Sequence, residues 1–253
     1  VAFLSSFLTN FHAEIERMTD RCGARRSWGW TASLKRSVAT LLTVVCVLGV
    51  SEHARAQSGV SDRANGETAL HQAAHRGDVV SLQRALDQDV DVNTTNRFGV
   101  TPLALACRGG HVAAVQRLLE SGADPNQASP TGETPLMVAA RTGVVDSVVS
   151  LLEHGADPSA REGWMGQTAL MWAAAERHAS VVPALVAGGA DVDGRSDAGF
   201  TPLMFAARLG HIDTVDALLD AGADIHQTLP DGTSPLVVAV INAHYDLAVR
   251  LLE

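Results

Sequence analysis

Gly132-Glu-Thr-Pro-Leu-Met-Val-Ala-Ala-Arg-Thr-Gly143 is the stretch that decides the fold of this 253-residue chain. Gly132 permits a tight turn, and the Thr134 hydroxyl can cap a helix that starts at Pro135, where a missing N–H costs nothing. Gly143 tolerates the positive φ at which many helices end. The stretch therefore predicts a short helix with defined start and stop residues.

A second helix is predicted directly after the first. Its apolar face is formed by residues at helical spacing, namely Val145, Val148, Leu151 and Leu152, and Gly155 ends it. One such helix pair cannot cover its own apolar face, so neighbouring pairs must bury it.

The pattern returns six times, at spacings of 33, 33, 34, 33 and 33 residues. The recurring phrase begins at Thr68, Thr101, Thr134, Thr168, Thr201 and Ser234, always two residues after a glycine. The units therefore start near residues 66, 99, 132, 166, 199 and 232, and the last one is truncated. A fixed period of this size predicts an all-α solenoid of helix-turn-helix units over residues 66–253.

The repeat resembles the ankyrin repeat, a 33-residue unit that carries Thr-Pro-Leu-His-x-Ala. The resemblance covers residues 63–253. It implies a scaffold or adaptor that binds a protein partner through its turn tips and the concave face of its first helices. The alternative is that the repeats present substrate to a catalytic domain beyond Glu253, since the chain ends just after Leu251-Leu252 without a capping turn. Because it also begins with Val1, we expect a fragment of a longer protein.

Composition and charge limit the class of molecule that the chain can bind. Hydrophobic residues make up 46% and aromatic residues 4% of the chain, which fits a core of Ala, Val and Leu. Residues 57–253 hold 12 Arg, no Lys and 24 acidic residues, a formal charge of −12. This acidic body argues against nucleic acid as the partner. A monomer is expected.

The N-terminal segment has the layout of a secretory signal peptide. We assign residues 1–17 to an upstream extension, residues 18–56 to the signal peptide with its apolar core at 38–50, and residues 57–65 to a linker. This predicts a periplasmic or secreted protein, and the composition suggests a bacterial one. The alternative is an inner-membrane anchor through residues 38–50, although that run is shorter than the roughly 20 residues of a membrane span.

No enzyme, cofactor or metal site is predicted. Histidines recur at one repeat position, His111, His178, His211 and His244, but they lack the converging spacing of zinc ligands. Cys107 occupies the slot of a small core residue and has no evident activating base.

Two sets of residues are candidate partner contacts. Arg108, Arg141 and Arg208 stand in register on the concave side, where fork-like hydrogen bonds could hold an acidic or C-terminal carboxylate, unless they only solvate that face. The turn tips carry apolar side chains at Phe98, Val100, Trp164, Met165 and Phe200. Trp164 is the leading candidate, and packing against the adjacent turn is its alternative. Trp172 and Phe205 are expected in the core.

Repeat 4 departs from the pattern at several points. It contains a one-residue insertion before Thr168, Arg177 in place of a glycine, and Pro183 inside the second helix. Proline there costs about 3 kcal/mol if the helix cannot adjust, so we predict a kinked or shortened helix and a local minimum of stability. Gln72 gives repeat 1 the polar character of a capping repeat.

Overall fold

The structure, a computed structural model, describes residues 66–88 and 90–252, which belong to one compact unit, Ser61–Glu253. The extension, signal peptide and linker predicted over residues 1–65 lie outside the described residues. Within the described ranges the secondary structure is helical and contains no strand, as the sequence predicts.

Within residues 66–252 the helices form six successive pairs. The first helices of the pairs are α1 (Ala69–Arg76), α3 (Pro102–Arg108), α5 (Pro135–Thr142), α7 (Ala169–Ala175), α9 (Pro202–Leu209) and α11 (Pro235–Ile241). The second helices are α2 (Val79–Leu86), α4 (Val112–Glu120), α6 (Val145–Glu153), α8 (Val182–Ala187), α10 (Ile212–Asp220) and α12 (Tyr245–Arg250). A single 3₁₀ turn, Ala179–Val181, precedes α8.

The predicted start and stop signals of α5 are confirmed. The Thr134 hydroxyl accepts a hydrogen bond from the backbone N–H of Met137, Pro135 occupies the first turn, and Gly143 ends the helix at φ 74°. The first helices of four other repeats are capped in the same way, by Thr68, Thr101, Thr201 and Ser234. Thr168 makes no such bond, so repeat 4 also departs from the pattern here.

The core runs along the stack of pairs. First helices pack against first helices of the next repeat, and second helices do the same. One leucine of each first helix in repeats 1 to 5 is fully buried or nearly so, at Leu70, Leu103, Leu136, Leu170 and Leu203. Each stabilises the fold by about 1.5–3 kcal/mol relative to exposure. Small residues such as Ala139 and Ala140 let the helices approach closely.

The predicted apolar face of α6 is buried only in part. Val148 and Leu151 are fully buried, whereas Val145 and Leu152 are half-buried. Leu119, the counterpart of Leu152 in repeat 2, is buried, and the helix that follows it in the stack is the full-length α6. Leu152 instead faces the shorter α8, close to Gly188.

Repeat 4 confirms the predicted shortening of its second helix. The chain enters it as a 3₁₀ turn and begins α8 only at Val182, so that Pro183 falls in the first turn, where no N–H is needed. The resulting helix has six residues, against nine in α6 and α10.

Arg177 adopts a positive φ of 64° at the end of α7. Glycines hold this left-handed conformation at the same position of four other repeats, Gly77, Gly110, Gly143 and Gly210. A side chain in this region costs about 1–2 kcal/mol, so the substitution stores strain in repeat 4. Ala243 does the same in repeat 6, at φ 62°.

Among the described helices, none has the length and apolar character that crossing a membrane requires.

Candidate functional site

Three apolar side chains project into solvent from the turns between helix pairs. Trp164 is 87% exposed, Phe98 55% and Met165 53%. Trp164 does not pack against the adjacent turn, which was the alternative to a binding role. These turns therefore present large apolar groups that the fold itself does not bury.

The one-residue insertion of repeat 4 lies in the turn that carries Trp164. In repeat 5 the turn is closed by a hydrogen bond from the N–H of Ser196 to the carbonyl of Phe200, four residues on. The corresponding bond in repeat 4 runs from Glu162 to Gln167, five residues on. We call residues 162–167 the Trp164 turn. The inserted residue and the exposed tryptophan therefore belong to the same turn.

Glu162 organises the Trp164 turn from inside. Its buried carboxylate accepts hydrogen bonds from the backbone N–H groups of Trp164 at 2.6 Å, Met165 at 2.8 Å and Gln167 at 3.0 Å. Burial by itself raises the pKa of Glu162, but the three N–H donors outweigh it and hold the pKa below its ordinary value. The carboxylate therefore stays ionised at neutral pH and fixes the turn at three backbone positions.

Neighbouring turns hold the Trp164 turn on both sides. The N–H of Gly163 donates to the carbonyl of Thr131 at 2.9 Å, and the N–H of Asp197 donates to the carbonyl of Met165 at 2.8 Å. Gly163 and Asp197 occupy the same position in the turns of repeats 4 and 5. In repeats 3 and 6 this position holds Pro130 and Pro230, which have no N–H to donate. An ion pair of 2.6 Å between Arg161 and Asp197 also joins repeats 4 and 5.

Gly132 allows this close approach. A Cβ on Gly132 would lie 2.7 Å from the backbone nitrogen of Gly163, closer than real Cβ atoms come. The predicted tight turn at Gly132 is therefore also a packing site for the Trp164 turn. A side chain there would push the two turns apart.

Two predicted turn-tip residues, Val100 and Phe200, do not project into solvent. Both are half-buried, which corrects the prediction for them. The Phe200 ring packs against the Phe205 ring with centroids 5.6 Å apart, and the carbonyl of Val100 bonds the His71 ring at 3.1 Å. The Phe200 ring therefore turns back toward the first helix of its own repeat.

The three predicted arginines have different surroundings. The half-buried Arg141 forms an ion pair of 3.3 Å with Glu133 and lies 4.9 Å from the Trp172 ring centroid. Arg208 is exposed and lies 5.3 Å from the Phe205 ring centroid and 5.7 Å from that of Phe200. Within the described ranges, neither Arg208 nor the exposed Arg108 has a carboxylate partner.

The prediction that Trp172 and Phe205 are core residues holds fully for Phe205 and in part for Trp172, which packs against the core without being fully buried. Phe205 is buried, whereas Trp172 is half-buried, and its indole N–H is shielded from water with no hydrogen-bond partner among the described residues. Tryptophan is larger than Leu105 and Val138, which occupy this position in repeats 2 and 3. Its ring therefore extends from the core to Arg141, and Trp172 belongs to the arginine-bearing face.

The recurring histidines link one repeat to the next. The Nε2 atoms of His111, His178 and His244 lie 2.9–3.1 Å from the carbonyl oxygens of His75, Arg141 and Arg208. His211 makes a similar contact through Nδ1 at 3.2 Å, but with Ala174, one residue before the corresponding position. Because a carbonyl only accepts, the ring nitrogens donate. No group of three or more potential metal ligands occurs within residues 66–88 and 90–252.

Cys107 behaves as the sequence predicts. It is fully buried in the core, and desolvation raises the pKa of its thiol to about 12. The thiolate needed for nucleophilic chemistry is therefore disfavoured.

Glu162 and Glu133 are the residues that sequence reasoning missed. Glu162 occupies the phase of Asn96, Ser129 and Ser196, which also accept backbone hydrogen bonds in their turns. An acid in place of Asn or Ser, next to the insertion, was the available signal. Glu133 follows Gly132 directly, and its pairing with Arg141 eight residues on depends on the turn and the helix folding together.

A scan against protein-family models matches the chain to ankyrin repeats (three copies), at residues 37–129, 70–162, 125–195, 161–229 and 189–253. A search of curated proteins found no match.

Proposed function

The chain belongs to the ankyrin repeat family, whose repeats generally mediate protein–protein interaction, and on that premise we propose that it binds a protein partner with Trp164 as the central anchor. The family is typically non-catalytic. Within the predicted scaffold role, the Trp164 turn is therefore the main contact with the partner.

The observation that carries the proposal is the exposure of Trp164 on an immobilised turn. Tryptophan is among the residue types enriched at interface hot spots. A side chain whose backbone is already fixed loses less conformational entropy on binding. Glu162, Thr131 and Asp197 fix the Trp164 turn through five backbone hydrogen bonds, three to the Glu162 carboxylate and two between turns. Met165 adds exposed apolar surface on the same turn, and Phe98 is exposed two turns away.

The experiment uses a phage-displayed library of random peptides selected on the immobilised full chain. Selected peptides are then measured against the wild type and Trp164→Ala. Loss of a hot-spot side chain costs about 2 kcal/mol or more, so we expect affinity to fall roughly 30-fold or further. Val80→Ala is the control, because Val80 is equally apolar and 69% exposed, but lies on α2 and not on a turn. Peptides that bind Trp164→Ala as tightly as the wild type would reject this assignment.

The proposal includes export, which is supported by the sequence of residues 18–56 alone. The experiment is a fusion of residues 1–65 to alkaline phosphatase, which is active only after export in a bacterial host, with sequencing of the mature N-terminus. Cleavage before Gln57 is expected. An active but uncleaved fusion would favour the anchored alternative, and an inactive fusion would reject export.

A further inference from the structure

The arginine at the end of the first helix has a different neighbour in repeat 3 than in repeat 5. In repeat 3, Glu133 follows the turn glycine directly, and its carboxylate reaches the Arg141 guanidinium at 3.3 Å. In repeat 5, Phe200 and Arg208 occupy these two positions. The ring of Phe200 stands where repeat 3 has a carboxylate, so Arg208 lacks the internal partner of its counterpart.

In repeat 5, two aromatic rings lie beside the guanidinium of Arg208. Its guanidinium carbon lies within 6 Å of two ring centroids, those of Phe200 and Phe205, at the distance of cation–π contact. Aromatic rings hold the cation in place but do not accept its five N–H groups as a carboxylate does. The two rings thus hold the Arg208 side chain in place, and among the described residues its N–H groups have no anionic partner.

Arg108, at the same position of repeat 2, resembles Arg208 in lacking a carboxylate partner among the described residues. The position that Glu133 holds in repeat 3 is taken there by Val100, and within the described residues Arg108 has no ion pair or ring contact. Two arginines in the same phase therefore lack the internal carboxylate that the third one has.

We infer that Arg208, with Phe200 and Phe205, forms a subsite for an aspartate or glutamate side chain of the bound protein, and that Arg108 forms a second such subsite. This inference rests on the proposed protein-binding function and names the chemistry of the partner. The ion pair between Glu133 and Arg141 shows that a carboxylate fits against an arginine in this phase.

The spacing of the two arginines selects acidic side chains over a chain terminus. Packed helices lie about 8–10 Å apart, so the three repeat steps from Arg108 to Arg208 span about 25–30 Å. A single terminal carboxylate cannot reach both arginines. An extended peptide advances roughly 3.3 Å per residue, so two acidic residues about eight positions apart match the two subsites.

The experiment titrates the isotopically labelled full chain with a synthetic peptide and follows the arginine side-chain N–H signals by NMR. The peptide consists of Gly and Ser with two Glu about eight positions apart, and both of its ends are capped. We expect the Arg208 and Arg108 signals to shift and Arg208→Gln to weaken binding about tenfold, as for a charge-assisted hydrogen bond. Arg84→Gln removes the same charge from an exposed site on α2 and is expected to leave binding unchanged.

Two reciprocal variants test the role of the internal carboxylate. Phe200→Glu recreates the arrangement of repeat 3 and is expected to abolish the response of Arg208. Glu133→Gln removes the internal carboxylate and is expected to make Arg141 respond to the peptide. Circular dichroism and thermal unfolding verify that each variant is folded. If Phe200→Glu does not fold, Arg208→Gln decides, because the Arg208 side chain is exposed.

Control peptides define the outcomes that overturn the inference. A peptide with Gln in place of Glu must not shift Arg208, and an equal shift would reject carboxylate recognition. A Gln peptide with a free C-terminus separates the sources, since binding of that peptide alone would assign the subsite to a terminus. Failure of the Glu peptide, with selected peptides still dependent on Trp164, would reject the subsite and leave the proposed function intact.

Discussion

The backbone N–H of Trp164 donates a 2.6 Å hydrogen bond to the buried carboxylate of Glu162. Among the described residues, the most exposed large apolar side chain is thus attached to the only buried acid. Two further N–H groups of the same turn bond this carboxylate. Presentation of Trp164 therefore depends on a residue that is itself buried.

Glu162→Gln is expected to destabilise the fold by about 1–2 kcal/mol, because the amide is neutral and cannot replace three charge-assisted bonds. Urea unfolding of wild type and variant at pH 7 measures this difference. Glu153→Gln, at an exposed position of α6, is the control for loss of one negative charge. A stability of Glu162→Gln equal to that of the wild type would mean that the carboxylate does not organise the turn.

The stability that Glu162 contributes should vanish in acid. Since its pKa in the folded chain lies below the ordinary 4.5, the contribution is complete above pH 4.5 and is lost as the pH falls through the folded-state pKa. The difference in unfolding free energy between wild type and Glu162→Gln should therefore shrink below about pH 4.5. A difference that stays constant from pH 7 to pH 3 would contradict this linkage.

Arg177→Gly is expected to stabilise the chain by about 1 kcal/mol, because it removes a side chain from a positive φ. The variant also loses the ion pair of 3.2 Å between Arg177 and Asp213, but both side chains are exposed and such pairs contribute little. Ala243→Gly relieves the same strain without an ion pair. Thermal unfolding measures both, and a lower midpoint for both variants would contradict the strain argument.

Asp193→Asn is expected to stabilise repeats 4 and 5 by about 0.5–1 kcal/mol. Asn93 and Asn126, in the same phase, accept a backbone N–H from the next repeat and also donate to the carbonyls of Gly122 and Gly155. Asp193 accepts from Asp224 at 3.0 Å, but a carboxylate cannot donate to a carbonyl. The reverse change, Asn126→Asp, should destabilise by a similar amount. Equal stability of all three proteins in urea unfolding would show that the donated bond contributes nothing.

Residues 178–190 are expected to exchange their amide hydrogens faster than residues 145–155. The 3₁₀ turn and the six-residue α8 leave fewer helical hydrogen bonds there than in the nine-residue α6. Hydrogen exchange followed by mass spectrometry of the intact fold measures this difference. Equal protection of the two segments would remove the predicted stability minimum of repeat 4.

Much of the fold was predictable because its signals are local. Thr134, Pro135 and Gly143 act within one turn of helix, and the shortening at Pro183 follows from a missing N–H. The exposed Trp164 and the register of the arginines could also be identified from the repeat phase.

The rest of the candidate site could not be predicted, because it depends on contacts between residues from different repeats or from opposite sides of a turn. Trp172 was assigned to the core by phase alone, yet its size carries it to Arg141 in the neighbouring repeat. Phe200 was assigned to the tip, yet its ring turns inward against Phe205.

The sequence by itself determined the helix pairs, their 33-residue spacing and the acidic charge of residues 57–253, because each depends on residue type and position along the chain. Only the tertiary structure decided which side chains are held and which are left without a partner. Glu133 pairs with Arg141, no carboxylate of the described residues pairs with Arg208, and Glu162 fixes the turn of Trp164. Hydrogen bonds and ring contacts require distances of a few ångströms, and those distances exist only once the turns and helices have folded against one another.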